Sequence, residues 1–372
     1  MVGYPTMFGV RKKSKVLMAL SGGVDSSVAL ALLVQQGYRV TAAFMVNYDD
    51  KDGDALSTKG DACWVPEYRD ALRVSAQLGV SLIKLDFREA YKRDVLERVY
   101  QEYEHGNTPN PDIWCNQYIK YGAWLDTVRV RGFDFLATGH YAVVRQKGFH
   151  STLQYQLHIP RDTHKDQTYF LHRLNQKQLS HAMFPIGNYT KDEVRKMAVN
   201  MNLPTAHKEE SMGICFVGEV PIKKFLKNKI HAIPGLVRTT SGEVVGKHEG
   251  VELYTIGQRH GFAQKGGERP WYVVAKDIKT HELIVGHDDD PRLYTDRIVL
   301  DDVHWISGEP PVDGLKCLLR VRHGQHPLSA RVEVGKQGKT VVICDSPIRA
   351  VTPGQSAVIY QGTECLGGGV IR

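Results

Sequence analysis

Cysteines form no close pair in this 372-residue chain: the six stand at positions 63, 115, 215, 317, 344 and 365, with no Cys-x-x-Cys. That absence argues against a zinc finger or a thioredoxin-type redox motif. Six thiols spread so widely also do not read as a disulfide framework, and reduced cysteines are expected. Long apolar runs are missing too: they break within about ten residues, short of the roughly 20 a membrane helix needs, so no membrane association is expected. The first residues, MVGYPTMFGVRKKSK, lack an apolar core with a cleavage site and do not read as a secretory signal. They also lack acidic residues, as an organellar leader does, but the first strand leaves little room for one, and a cytoplasmic location is expected. Acidic side chains are the minority, 41 against 48 Lys and Arg, for a net charge of +7. That balance favours an anionic partner without identifying it. No internal repeat or low-complexity segment is present.

The length suggests two or three domains, and 42% apolar residues is ample for their cores. Strands are predicted at residues 15–20, 39–48, 80–87 and 133–142. Helices are predicted at 26–36, 66–78, 88–104 and 116–131, with Gly37 and Gly79 as stops. Such alternation indicates a parallel sheet flanked by helices. A further helix should follow the capping box Thr190-Lys-Asp-Glu193 and end before Pro204. Beyond about residue 218 the character changes. Glycine-rich turns separate short runs at 252–256, 271–276 and 283–285. Alternation at 316–321, 328–334, 339–344 and 356–360 reads as a small barrel or sandwich.

After the first strand comes SGGVDS, residues 21–26, and then a helix. Successive backbone N–H groups of Ser21, Gly22 and Gly23 can line an anion-binding concavity, to which the helix adds its positive end. Two glycines permit an approach that a Cβ would block. Ser26 and Ser27 can add hydroxyl donors, and Asp25 could hold a magnesium ion on the phosphates. A functionless glycine-rich turn is the plain alternative, which the full string in its strand–helix context outweighs. The only Gly-Lys-Thr, residues 338–340, lies between two strands with Glu333 where a Walker loop needs its leading glycine. The sequon at Asn188 is incidental in a cytoplasmic chain.

Two thiols stand in unusual surroundings. Cys115 closes GNTPNPDIWC, whose prolines fix backbone angles and whose Asp112 lies three residues before the thiol. The helix predicted from Asn116 would place Cys115 at its start, a position that favours thiolate. Cys215 follows the charged approach Lys208, Glu209 and Glu210; for an isolated cysteine with apolar neighbours a small buried hydrophobe is the default. Cys317, Cys344 and Cys365 fall in the strand-rich end and read as core. Cys63 raises the alternative of an iron–sulfur cluster shared with Cys115 and Cys215, against which their wide spacings stand. His140, after a strand, faces the sheet's carboxyl edge, where ligands of open α/β folds bind; a satisfied structural histidine is the alternative.

The string SGGVDS resembles the signature of the PP-loop ATP pyrophosphatase superfamily. With NTPNPDIWCN, ATGHYA, KDQTYFL, MGICFV and YTIGQRHG in that order, the chain resembles the tRNA-specific 2-thiouridylase family from Val16 to the LGGGVI ending. The resemblance implies a PP-loop domain (1–218), a small central domain (219–290) and a C-terminal tRNA-contacting β-barrel (291–372). It implies ATP binding by Ala19, Leu20, Ser21, Gly22, Gly23, Val24, Asp25 and Ser26, with Met45 at the adenine and Gly139 on the nucleotide. It makes Cys215 the persulfide carrier, Cys115 the partner nucleophile and Asp112 the acid/base. Asn110, Pro111 and Asp112 would meet the target base. Lys165, Asp166, Gln167, His140, Arg322, His323 and Gln355 would touch the tRNA. The polar segment 51–60 departs from the family by its length.

The reaction so implied adenylates the C2 oxygen of a wobble uridine and replaces it with persulfide sulfur, leaving a disulfide to be reduced. An external persulfide donor must then reload the enzyme, which is expected to be a monomer. Further basic candidates for the tRNA face are Arg11, Lys12, Lys13, Lys223, Lys224, Lys227 and Lys229, with a solvated charged face as the alternative. A PP-loop amide ligase would need neither cysteine, and an RNA-binding protein with a dead nucleotide site would not need the intact loop.

Overall fold

The computed structural model describes residues 14–49, 64–148, 153–209, 222–227, 229–264, 269–335 and 339–372. β1 (Lys15–Ala19), α1 (Val24–Gln35), β2 (Arg39–Val46), α2 (Val65–Gln77) and β3 (Leu82–Asp86) build outward on one side. The chain then crosses back, and β4 (Phe135–Ala137) and the strand Ala182–Met183 lie on the other side of β1. All neighbours in this five-stranded sheet are parallel, as helical crossovers require. The strand order reverses between β1 and β4, the place beyond whose carboxyl ends open sheets bind ligands.

β1 alternates its side chains between two cores. Val16 and Met18 pack with Val28, Leu32 and Val194 on one face, and Leu17 packs with Tyr91, Trp124 and Leu125 on the other. The second core does not stop at the sheet. It continues through Phe225, Tyr254 and Val273 to Tyr360 and Cys365, joining all three parts of the molecule.

The middle part is a five-stranded mixed sheet in which Glu282–Gly286 lies parallel to Gly235–Thr239 and the other pairings are antiparallel. The C-terminal part is a six-stranded antiparallel barrel. Its first strand, Tyr294–Trp305, closes it by pairing with both Thr340–Arg349 and Glu364–Ile371. The LGGGVI glycines make the closure possible: a Cβ on Gly367 would strike the His304 carbonyl, and one on Gly368 the Ala357 carbonyl.

Three features differ from the sequence expectation. The helix expected from Asn116 begins at Pro111, because Asn110 caps it through the Asp112 amide (3.2 Å) and Pro111 takes the first helical position. It then runs as a π-helix over Cys115–Trp124 before ending at Val130. The strand expected to reach residue 142 stops at Ala137. A hairpin, Val143–Lys147 with Gln154–His158, follows and adds itself to the barrel through His158 opposite Glu364 and Leu157 opposite Cys365.

A candidate active site at the switch point of the sheet

Residues 20–26 leave β1 as a tight turn into α1. Gly22 has φ +77°, and a Cβ there would collide with the Glu67 carbonyl of α2. The Ser26 hydroxyl knits the turn, accepting from the Ser21 amide (3.2 Å) and donating to the Gly23 carbonyl (3.1 Å). Ser27 donates to the same carbonyl at 2.7 Å. The serines read as phosphate donors thus also hold the turn's shape. Lys208 braces it from outside, donating to the Gly22 carbonyl (3.2 Å) and to Asp70 (2.7 Å).

Asp25 has partners that sequence reasoning missed. Lys191 donates to both of its carboxylate oxygens, at 2.7 and 2.8 Å, and Tyr141 donates to one at 3.1 Å. Lys191 is the first residue of helix Lys191–Asn200, where a cation opposes the helix dipole. A lysine straight after the capping-box Thr190 was the available signal. The carboxylate expected to hold magnesium is therefore already neutralised by a buried ammonium.

The loop after β4 lies on the turn. A Cβ on Gly139 would sit 2.8 Å from the Ser26 amide nitrogen, so only glycine allows this approach. The next residue, His140, is 9% exposed, and Lys120, 8% exposed, donates to its Nε2 across 3.4 Å. An ammonium has donors only, so Nδ1 carries the imidazole hydrogen and donates to Thr138 (2.7 Å), whose hydroxyl meets Tyr121 (2.9 Å). Burial foremost, then the Lys120 charge, push the His140 pKa well below its ordinary value, so the ring is neutral. Met45, near the end of β2, is buried in the same sheet.

Cys115 is fully buried at the start of the π-helical stretch, one turn inside its helix rather than at its end. π-Helical insertions recur at functional sites. The loop leading to it is gripped from two directions. The Thr108 backbone amide donates to the Pro353 carbonyl (3.0 Å), and the Gln355 side-chain amide donates to the Thr108 carbonyl (2.6 Å), both links to the barrel. The Thr108 and Thr255 hydroxyls lie 3.3 Å apart, and Gly106 packs on Ile278, both contacts with the middle sheet. Asn110, Pro111 and Asp112, all half-buried, follow directly. The prolines alone do not hold this segment; the other two parts of the molecule do.

The residues expected to touch RNA divide. Arg322 and His323 are exposed at the barrel's edge. Arg322 bonds the Ala350 (2.9 Å) and Ile256 (3.2 Å) carbonyls, and the His323 ring packs tilted against Phe170 with centroids 4.3 Å apart. Lys165 is half-buried. Asp166 is turned inward: at 3% exposure it forms an ion pair with Arg320 and accepts from the Thr168 amide (2.9 Å) and hydroxyl (2.7 Å). Gln167 accepts from the Tyr141 amide at 2.8 Å. Among the basic candidates, Lys223 lies over the Tyr254 ring, 4.1 Å from its centroid, and donates to the Gly261 carbonyl (3.1 Å). Lys229 is exposed. Cys317, Cys344 and Cys365 are buried in strands, and burial raises the first two thiols to about 11. Cys63, Cys215, the 51–60 segment, Arg11, Lys12, Lys13 and the side chains of Lys224 and Lys227 lie outside the described residues. Among the described residues no group of three His, Cys, Asp or Glu could hold a metal ion, and no helix is long and apolar enough to cross a membrane.

Three family models cover nearly the whole chain. They are the tRNA methyl transferase HUP domain over residues 14–219, the tRNA methyl transferase PRC-barrel domain over 223–287 and the aminomethyltransferase beta-barrel domain over 295–371. The tRNA-specific 2-thiouridylase MnmA of Geobacillus thermodenitrificans is 42% identical over 360 residues, 96% of this chain and 95% of that protein. The MnmA of Bacillus anthracis and the MnmA 2 of Geobacillus kaustophilus match equally in identity and coverage. Among solved structures, a 4-thiouridine synthetase in complex with RNA and ATP is similar at a TM-score of 0.33 and 15% identity, over 58% of this chain and 50% of that one. The NMN synthetase of Francisella tularensis follows at 0.31 and 14%, over 54% and 66%. Scores this low establish no shared fold. The sequence relatives span both chains almost end to end, and the chain belongs to the tRNA-specific 2-thiouridylase (MnmA) family.

Proposed function

We propose that the chain replaces the C2 oxygen of the wobble uridine in tRNA with sulfur, consuming ATP and releasing AMP and pyrophosphate. The observation that carries this reading is a juxtaposition. The turn at residues 21–26 abuts Gly139, and the next residue, His140, bonds Lys120 of the helix that carries Asp112 and Cys115, while the loop before that helix is gripped by the middle part and by the barrel. The turn fits a nucleotide: two glycines without Cβ atoms and a 12-residue helix behind them that supplies its positive end.

An amide-like oxygen leaves poorly, so it is first made into a phosphate ester. Uridine O2 attacks the α-phosphorus, the bond to the β-phosphate oxygen breaks, and pyrophosphate departs with the electron pair. The terminal sulfur of a persulfide on Cys215 then attacks C2 and AMP leaves. Cys115 thiolate attacks the Cys215 sulfur, releasing 2-thiouridine and closing a Cys115–Cys215 disulfide. The two thiols supply the two electrons, and an external reductant and persulfide donor restore them. A persulfide suits this task because its terminal sulfur ionises more readily than a thiol. Asp112 is the nearby acid/base. Asp25 is the carboxylate that would hold magnesium on the phosphates, where the ion would compete with the Lys191 ammonium already paired with it. The chain works as a cytoplasmic monomer, with the division at 218 and 290 separating catalysis from the RNA platform.

Mass analysis of nucleosides from tRNA incubated with the chain, ATP and a persulfide source tests the reading. It expects 2-thiouridine together with tRNA-dependent pyrophosphate release. Pyrophosphate release driven by an amine in place of tRNA would replace it with an amide ligase.

A further inference from the structure

A buried lysine links the loop that packs on the nucleotide turn to the helix that carries Cys115. Lys120 is 8% exposed, and its Nζ lies 3.4 Å from His140 Nε2. His140 is joined to Gly139, whose missing Cβ would stand 2.8 Å from the Ser26 amide at the positive end of α1. That fixes one side of Lys120 against the phosphate-binding turn. The other side is set by the helix that carries it. Cys115–Trp124 is π-helical, with i→i+5 bonding, so residues five apart stand one turn above another. Cys115 and Lys120 are such a pair. In an α-helix the same spacing would turn them well apart.

Any uridine adenylated at the turn and attacked from the cysteine side must pass its C2–O–P linkage through the space these two elements border. We propose that Lys120 is the cation of that linkage. Its ammonium donates to the α-phosphoryl oxygens as uridine O2 bonds to phosphorus and the bond to pyrophosphate breaks. It stays on the same phosphate when sulfur bonds to C2, the C2–O bond breaks and AMP leaves with the pair. His140, neutral and accepting through Nε2, aims the ammonium without competing for its charge. Its hydrogen-bond chain through Thr138 to Tyr121 locks that tautomer. Preorganised charge in a water-poor site acts on a developing anion at no reorganisation cost. This assignment rests on the thiolation reading and deepens it.

The test compares full-length wild-type chain with Lys120→Met, Lys120→Arg and Lys120→Gln, without a sulfur source. Single-turnover pyrophosphate release is measured with ATP and tRNA, and AMP and adenosine affinities by titration. Lys120→Met is expected to slow release at least a hundredfold at saturating ATP and tRNA, with both KM values within threefold. Lys120→Arg should recover at least tenfold of that loss. The preference for AMP over adenosine should fall about tenfold in Lys120→Met while adenosine affinity holds. Should Lys120→Met fail to melt as a folded protein, Lys120→Gln carries the same comparison. Release within threefold of wild type, an unchanged AMP-to-adenosine ratio, or equal losses in the Arg and Met variants would overturn the assignment. Wild-type chain that releases no pyrophosphate with tRNA would instead remove the thiolation reading beneath it.

Discussion

A methyl group added at Gly139 would lie 2.8 Å from the Ser26 amide, and neither element can yield without opening the nucleotide turn. Overpacking of this kind costs about 1–3 kcal/mol, so Gly139→Ala should weaken ATP binding roughly ten- to hundredfold. Titration with ATP checks it, and unchanged affinity would mean the loop is not packed as described. The proposed mechanism gives the two cysteines different roles, which mass analysis can read. Cys215→Ser should abolish both persulfide labelling and thiolation. Cys115→Ser should retain the extra sulfur on Cys215 yet fail to turn over; sulfur found on Cys115 of the wild type would reverse the roles. At this scale the sequence was legible wherever chemistry is local. SGGVDS reads as a phosphate turn because its donors are consecutive. Lys120 and Lys191 were not, since each acts on a partner 20 and 166 positions away.

The segment from Thr168 to Leu174 shows how an element docks. Asp166 just before it is paired with Arg320 of the barrel, both nearly fully buried. Removing one member of a buried pair leaves the other uncompensated, so Arg320→Ala should destabilise the chain by about 3–5 kcal/mol, measured by denaturant unfolding. His172 in the same segment is fully buried and donates from Nδ1 to the Tyr169 carbonyl (2.9 Å), while Nε2 has no partner. Burial first, then Arg173, lower its pKa from 6.5 to about 3, with His304 adding slightly. The folded chain thus binds fewer protons than the unfolded one below about pH 6.5. Stability should be full above that value and decline as pH falls toward 3, by about 2 kcal/mol at pH 5 from this residue alone. His172→Asn should flatten that part of a melting-temperature profile; an unchanged slope would assign it elsewhere. The parallel strands and capped helices were readable from periodicity and from Gly37, Gly79 and Thr190. The hairpin Gln154–His158 was not: its polar alternation acquires a meaning only against a barrel strand some 200 residues later. Strand Tyr294–Trp305 was hidden by charges and by register shifts near Thr295 and Asp301.

Over the whole molecule, a net charge of +7 and the exposed Arg322 and His323 predict electrostatic association with tRNA. Affinity should fall linearly on a log–log salt plot, by roughly 0.7–0.9 per phosphate contact. Folded tRNA should bind more tightly than an isolated anticodon oligonucleotide, and equal affinities would remove the barrel from the RNA surface. The change from the parallel-sheet part was legible because the character of the sequence shifts near residue 218, and the further division came from the family resemblance. The grip of the other parts on the loop before Cys115 was not legible, because it joins positions far apart in the chain: Thr108 meets Pro353, Gln355 and Thr255, and Gly106 meets Ile278. The hairpin that joins the barrel carries a further consequence, for the order of events during synthesis. Gln154–His158 leaves the ribosome long before Glu364–Ile371, the strand it pairs with and the one that also closes the barrel against Tyr294–Trp305. A nascent chain therefore carries an unpaired strand edge, a template for unwanted association, through most of its translation. Its first half matures only when its last strand arrives, so chains stalled before residue 364 should need chaperones to stay in solution.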